Sequence, residues 1–151
     1  MALVEHCVLV LWGAHCDEAA TAIFVTTLRA AGLRVWVVGI SGGRTAGGNG
    51  LRLQPDLMPQ QALPLAGHTS CVVIPCTDAL LARFMNDPTV AALLTHAQRI
   101  DAHFVVSPVL AQWIRLHPEQ SHLQNAEAYP LGDGLFHFVT TLATRLYRNR
   151  S

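Results

Sequence analysis

Between Val4 and Ile40 the chain passes from an apolar run through a helix-spaced stretch into a second apolar run, and this order constrains the fold more than any other feature. Val4 to Trp12 is almost continuously apolar, which suits a strand buried on both faces. Gly13 to Asp17 interrupts it. Glu18 then opens a helix through Ala19, Ala22, Ile23, Val25, Leu28 and Ala31, and Gly32 stands where a C′ glycine ends such a helix. Leu33 to Ile40 is a second buried strand. A strand–helix–strand unit of this length implies a right-handed crossover between parallel strands.

The same alternation continues. Ser41 to Gly50 is glycine-rich, but it has no Gly-Lys-Ser/Thr ending and no helix pattern behind it, so it does not read as a phosphate loop. Asn49-Gly50 and Pro55-Asp56 instead bound a small β excursion, a piece of scaffold or rim. Pro64 to Thr69 reads as a polar, turn-rich connection. Cys71 to Pro75 is a third buried strand, Asp78 begins a helical stretch, and Asn86-Asp87-Pro88 caps a helix striped by Val90, Leu93, Leu94 and Ala97.

Phe104 to Ser107 is the fourth strand, and the switch to helical spacing at Leu110, Trp113 and Ile114 falls on Ser107-Pro108. Proline is tolerated in a first helical turn and pushes the residue before it to an extended conformation. Ser107 is therefore an N-cap or a polar group carried on an elbow. From His117-Pro118 to Tyr129 the chain is polar, with room for at most one short strand. Leu135, Phe138, Val139, Leu142 and Leu146 line a last helix, and Arg145, Arg148 and Arg150 read as C-terminal dipole partners. The expected fold is α/β: a flavodoxin-like doubly wound parallel sheet in a three-layer sandwich, strand order two-one-three-four, with a small β excursion after strand two. Residues 1–151 form one domain.

Composition excludes several roles. Ten basic against ten acidic residues give no field for nucleic acid or an anionic membrane. No apolar run approaches the roughly 20 residues of a membrane span. The start of the chain, with Glu5 and His6 and no basic region, reads as a first strand and is not expected to be a signal peptide. Only 13% of residues are charged, against about 25% in typical domains, and Ile23, Phe24, Val25 and Leu28 put apolar residues on more than one face of the first helix, so a homodimer is expected. Cys7, Cys16, Cys71 and Cys76 form no C-x-x-C pair, and without an export signal they read as reduced thiols in a cytoplasmic protein.

In an open parallel sheet, small-molecule ligands bind beyond the carboxyl ends of the strands. There the chain places His15, Cys16, Asp17 and Glu18 after the first strand, Cys76, Thr77 and Asp78 after the third, and Ser107 after the fourth. The segment Gly13 to Gly43 resembles the opening of the ThiJ/PfpI superfamily, the class I glutamine amidotransferase-like group that includes the Parkinson-associated deglycase. NGLRLQPD with Leu57 is similar to that family's hairpin, VVIPC to its third strand, FVVSP to its nucleophile strand, and GDG to the Gly-Pro-Gly before its last helix.

The resemblance implies an elbow cysteine as nucleophile, a glutamate opening the first helix that hydrogen-bonds it, Gly-Gly oxyanion donors and a nearby histidine. Glu18 falls on the glutamate. Ser107 falls on the cysteine if one gap is allowed, and Pro108 does without it. Cys76 and Thr77 replace the Gly-Gly pair, and His117-Pro118 stands for the histidine strand. A serine needs an adjacent base where a cysteine at a helix N-terminus does not, and Glu18 is a poor substitute.

These departures make the expected function a non-catalytic binding or regulatory homodimer that keeps the fold and the pocket glutamate. The alternatives are a hydrolase or aldehyde-processing enzyme of the same superfamily (glyoxalase- or deglycase-type) using Cys76 or Ser107 as nucleophile, with Glu18 and His117 beside it, and a plain flavodoxin-like binding domain. No cofactor and no metal are expected: His15, Cys16, Cys76 and Asp17 hold metal-ligand chemistry, but sequence neighbours do not naturally face one centre. His6-Cys7 lies on a strand as a core detail, His96, His103, His122 and His137 have no ligand spacing, and Trp12, Trp36 and Trp113 read as core or interface aromatics.

Overall fold

The computed structural model describes residues 6–40, 45–77, 86–121, 123 and 125–149. The expectations on Val4, Glu5, residues 41–44, Asp78, His122 and Arg150 lie outside these residues.

Five strands run parallel: β1 (Cys7–Trp12), β2 (Arg34–Gly39), β5 (Thr69–Ile74), β6 (His103–Val106) and β7 (Glu127–Ala128), in the order β2-β1-β5-β6-β7. The four expected strands occupy their expected places, and β7 adds a two-residue strand beyond β6. A separate antiparallel pair, β3 (Thr45–Ala46) and β4 (Arg52–Leu53), is the small excursion after β2. Its return stretch lies along β2, where Leu57 bridges Val38 and the Asp56 carboxylate accepts from Val37 N at 2.8 Å and from Arg29 Nη2 at 2.8 Å.

Every residue of β1 is buried, and alternate residues enter opposite cores. Cys7, Leu9 and Leu11 pack with α3 (Pro88–Arg99), α4 (Pro108–Leu116) and the excursion. Val8 and Val10 pack with α1 (Glu18–Ala30) and α6 (Gly134–Arg148). Helices thus cover both faces of the sheet, which is why its strands read as continuous apolar runs. On α1, Phe24 and Leu28 turn into the core while Ile23 and Val25 are half-buried.

Local signals set the helix ends. Asp17 caps α1 by accepting from Ala20 N at 3.0 Å, and Asp87 caps α3 by accepting from Thr89 N at 2.9 Å, with Pro88 in the first turn. Gly32, at φ +89°, closes α1: Leu33 N donates to Leu28 O and Gly32 N to Arg29 O, the paired bonds of a glycine C-cap. The stretch expected to be a polar connection before β5 is instead helical, with α2 (Pro59–Ala62) running into a 3-10 turn at Leu63–His68. The cause is packing. Ala62 and Ala66 are fully buried in the core shared with α3, and apolar burial overrides the turn-forming character of Pro64 and Gly67.

After α4 come α5 (Pro118–Ser121) and β7. Arg145 does more than complement the α6 dipole: its Nη2 lies 3.2 Å from Glu127 Oε2, which in turn is 2.7 Å from His103 Nε2. Among the described residues no helix is long and apolar enough to cross a membrane.

Candidate functional site

The carboxyl ends of β1, β5 and β6 meet at one edge of the sheet. Asp17 N donates to Pro75 O at 2.7 Å, joining the loop after β1 to the loop after β5, and Ser107 N donates to Ile74 O at 3.2 Å, joining the elbow to β5. The turn after β1 is tight enough to hold His15 at φ +64°, with its side chain exposed.

Cys16 and Cys76 form a disulfide across these loops. This corrects the expectation that all four cysteines are reduced thiols. The pairing closes between loops separated by 60 residues, and a spacing rule based on sequence neighbours does not register it. Both half-cystines are buried, and Gly13 N donates to Cys16 Sγ at 3.2 Å. The other two cysteines are free and lie in the cores. Burial pushes the Cys71 thiol up to about 12 and the Cys7 thiol up from its ordinary value, so neither offers a ready thiolate.

Glu18 is buried at the start of α1, and its carboxylate is occupied. One oxygen accepts from Leu51 N at 2.6 Å and the other from Asn49 N. The β3–β4 turn therefore hangs on this side chain. Gly47 lets the hairpin come so close: a Cβ there would run into Glu18 Cγ and lie 2.7 Å from Glu18 Cδ and 2.9 Å from Trp12 Cη2. Gly48 N donates to Cys16 O at 3.2 Å, and Trp12 Nε1 donates to Thr45 O at 3.1 Å.

Ser107 is the N-cap of α4. Its hydroxyl accepts from Leu110 N at 3.2 Å and donates to Cys76 O at 2.7 Å. His117 lies past the other end of the same helix, where its Nδ1 is 2.9 Å from Trp113 O and its ring stacks on Trp113. Nine residues of helix, about 13 Å along the axis, separate it from Ser107. Glu18, Cys76 and Ser107 are thus brought to one edge, and His117 is not. Among the described residues no three or more His, Cys, Asp or Glu side chains gather into a metal-binding group, and the disulfide removes both thiolates that such a group would use.

Two hollows among the described residues lie at the opposite, amino edge of the sheet, both lined by Asp101, Ala102 and His103. On α1's side of the strand ends, Tyr129 OH lies 3.5 Å from Asp17 Oδ2. Burial, with the Asp17 charge beside it, raises the phenol above its ordinary value and keeps it neutral.

Solved structures share the fold that carries these residues. A cysteine-to-alanine mutant of a DJ-1 superfamily protein from Salmonella typhimurium superposes with a TM-score of 0.73 at 16% identity, covering 95% of this chain and 91% of that one. The chain has the DJ-1/ThiJ/PfpI fold. DJ-1beta of Drosophila melanogaster matches with a TM-score of 0.71 at 16% identity over 94% of this chain and 90% of that one. A putative protease I of Bacteroides thetaiotaomicron matches at 0.65 and 14% identity, over 97% and 100%. No protein-family model matches the sequence, and neither does any curated protein. At such identities the DJ-1/ThiJ/PfpI likeness establishes the fold, while the chemistry rests on this chain's own residues.

The resemblance in the sequence pointed to Glu18 and Ser107 as pocket groups. What it did not supply was their partners: a backbone turn for the carboxylate and a carbonyl for the hydroxyl. Cys16 and the glycines 47 and 48 complete the site, and the turn glycines beside Asn49-Gly50 were its one visible signal.

Proposed function

We propose that this chain is a divergent member of the ThiJ/PfpI superfamily that acts as a non-catalytic binding or regulatory homodimer, taking a small molecule at the carboxyl edge of the sheet. The observation that carries this reading is the engagement of the Ser107 hydroxyl. It caps α4 and donates to Cys76 O, and among the described residues no imidazole hydrogen-bonds it. A serine so placed has no base to take its proton. Glu18 gives each of its carboxylate oxygens to a backbone N–H group of the hairpin and so serves to hold the rim.

Homodimerisation is supported by the low charge content and by Phe136 and Tyr147, which stand exposed on α6 beside Ala30 and Ala31 of α1. Sedimentation velocity at micromolar concentration is expected to show two copies; a monomer would remove that part of the reading.

Catalysis is tested directly by incubating the protein, in reducing buffer, with an activated ester and with a 2-oxoaldehyde. Turnover no faster than for the Cys76→Ser and Ser107→Ala variants is the expected result. Turnover that either substitution abolishes would establish the alternative, a hydrolase or aldehyde-processing enzyme with a relocated nucleophile.

A further inference from the structure

The two half-cystines occupy a position in the hydrogen-bond pattern that a simple staple does not need. Cys16 carries the hairpin on its own carbonyl, through Gly48 N at 3.2 Å, and is two residues from Glu18, which holds Asn49 N and Leu51 N. Cys76 carries the elbow on its own carbonyl, through the Ser107 hydroxyl at 2.7 Å. The sulfur–sulfur bond between them therefore ties four segments together at one point: the turn after β1, the loop after β5 and, through these, the β3–β4 hairpin and the start of α4. Among the described residues, the backbone bond joining the two loops beside the disulfide is Asp17 N to Pro75 O.

We propose that Cys16–Cys76 is a reversible thiol–disulfide site, with low-molecular-weight thiols as its reductants, and that its redox state sets how firmly the hairpin and the elbow are held at the carboxyl edge of the sheet. The exchange is a two-electron step. A thiolate attacks one sulfur, the Cys16–Cys76 bond breaks, and the other cysteine leaves as a thiolate that takes up a proton. A second thiol attacks the mixed disulfide, releasing the small disulfide and giving the remaining cysteine its proton. Two small thiols are oxidised and one protein disulfide is reduced; a small disulfide drives the reverse. Since both half-cystines are buried, exchange proceeds through local opening of these loops. The hairpin, with two residues in each strand, is too short to hold itself in place once its anchor shifts. Cys7 and Cys71, deep in the two cores, stay silent and serve as internal controls.

The test uses the whole chain without denaturant. It is treated with a monothiol, then alkylated, and the labelled cysteines are mapped while amide hydrogen exchange is followed. Expected are labels on Cys16 and Cys76 alone, reversal by the corresponding small disulfide, and exchange at the Gly48, Asn49 and Leu51 amides about tenfold faster in the reduced protein, while the β1 and β5 amides remain far more protected than these three. The Cys16→Ser, Cys76→Ser double variant should show the same faster exchange without reductant. A disulfide that yields only when the chain is unfolded, cleavage that unfolds the whole chain, or cleavage that leaves those three amides unchanged would each overturn the proposal. None of these outcomes bears on ester or aldehyde turnover, so the proposal and the binding reading stand or fall separately.

Discussion

The Ser107 hydroxyl donates to the carbonyl oxygen of Cys76 at 2.7 Å, so the elbow serine faces the backbone of the half-cystine and not its sulfur. One hydroxyl thereby does two things at once, because the same oxygen receives Leu110 N and starts α4.

Replacing Ser107 by alanine removes both bonds and leaves a buried carbonyl and a helix-end N–H unpaired. The loss is expected to be about 1–2 kcal/mol of folding stability. Denaturant titration of wild type and Ser107→Ala measures it. A neutral result would mean that water replaces the hydroxyl, and the cap would carry no weight.

Gly47 is the position least able to accept a side chain, since its Cβ would meet Glu18 and the Trp12 ring. Gly47→Ala is expected to cost about 1–3 kcal/mol and to loosen the Asn49 and Leu51 amides, while Gly67→Ala, where a Cβ meets nothing within 4 Å, should change little. Thermal melts with amide exchange on the two variants separate the local effect from a general intolerance of substitution.

The closed loop between Cys16 and Cys76 spans 60 residues, long enough for the cross-link to restrict the unfolded chain by about 4 kcal/mol. The double serine variant is expected to remain folded and to melt at a lower temperature by a corresponding amount. Calorimetry of wild type, with and without reductant, should reproduce the difference. Equal melting temperatures would show that the bond contributes nothing to global stability.

Alkali should find the buried thiol of Cys71. In the folded chain burial holds its proton to about pH 12, whereas its ordinary value is 9.0. Stability is therefore at its full value below pH 9; above it the unfolded chain alone gives up the proton, and stability falls by about 1.4 kcal/mol per pH unit until the folded thiol also ionises. Cys71→Ala should remove one proton's share of that slope in urea titrations from pH 8 to 11. Tyr129, also raised, adds to the remaining alkaline loss once its own unfolded value is passed.

The layered parallel sheet was legible because strands buried on both faces leave long apolar runs, and the caps at Gly32, Asp87 and Ser107 were legible because each acts within a few residues of itself. The site was half legible. Glu18, Cys76 and Ser107 could be assigned to one sheet edge from the order of elements, but the Glu18 partners lie 31 and 33 residues onward in a hairpin, and backbone N–H groups have no signature in residue type. The disulfide was hidden for the same reason. His117 was drawn toward the site by family likeness, while the length of α4 carries it away. The helical turns from Pro59 to His68 were masked by Pro64 and Gly67, whose turn preference gives way to the burial of Ala62 and Ala66.

β7 pairs only with Val105 and Val106, so among the described residues the amino half of β6, at His103 and Phe104, has β5 on one side and no strand on the other. Such a margin is a template on which another polypeptide can lay itself. The polar trio of His103, Glu127 and Arg145 stands at that spot, and a newcomer would have to strip water from it and part its members before forming a single new backbone bond. That cost opposes the addition of a further strand along this margin.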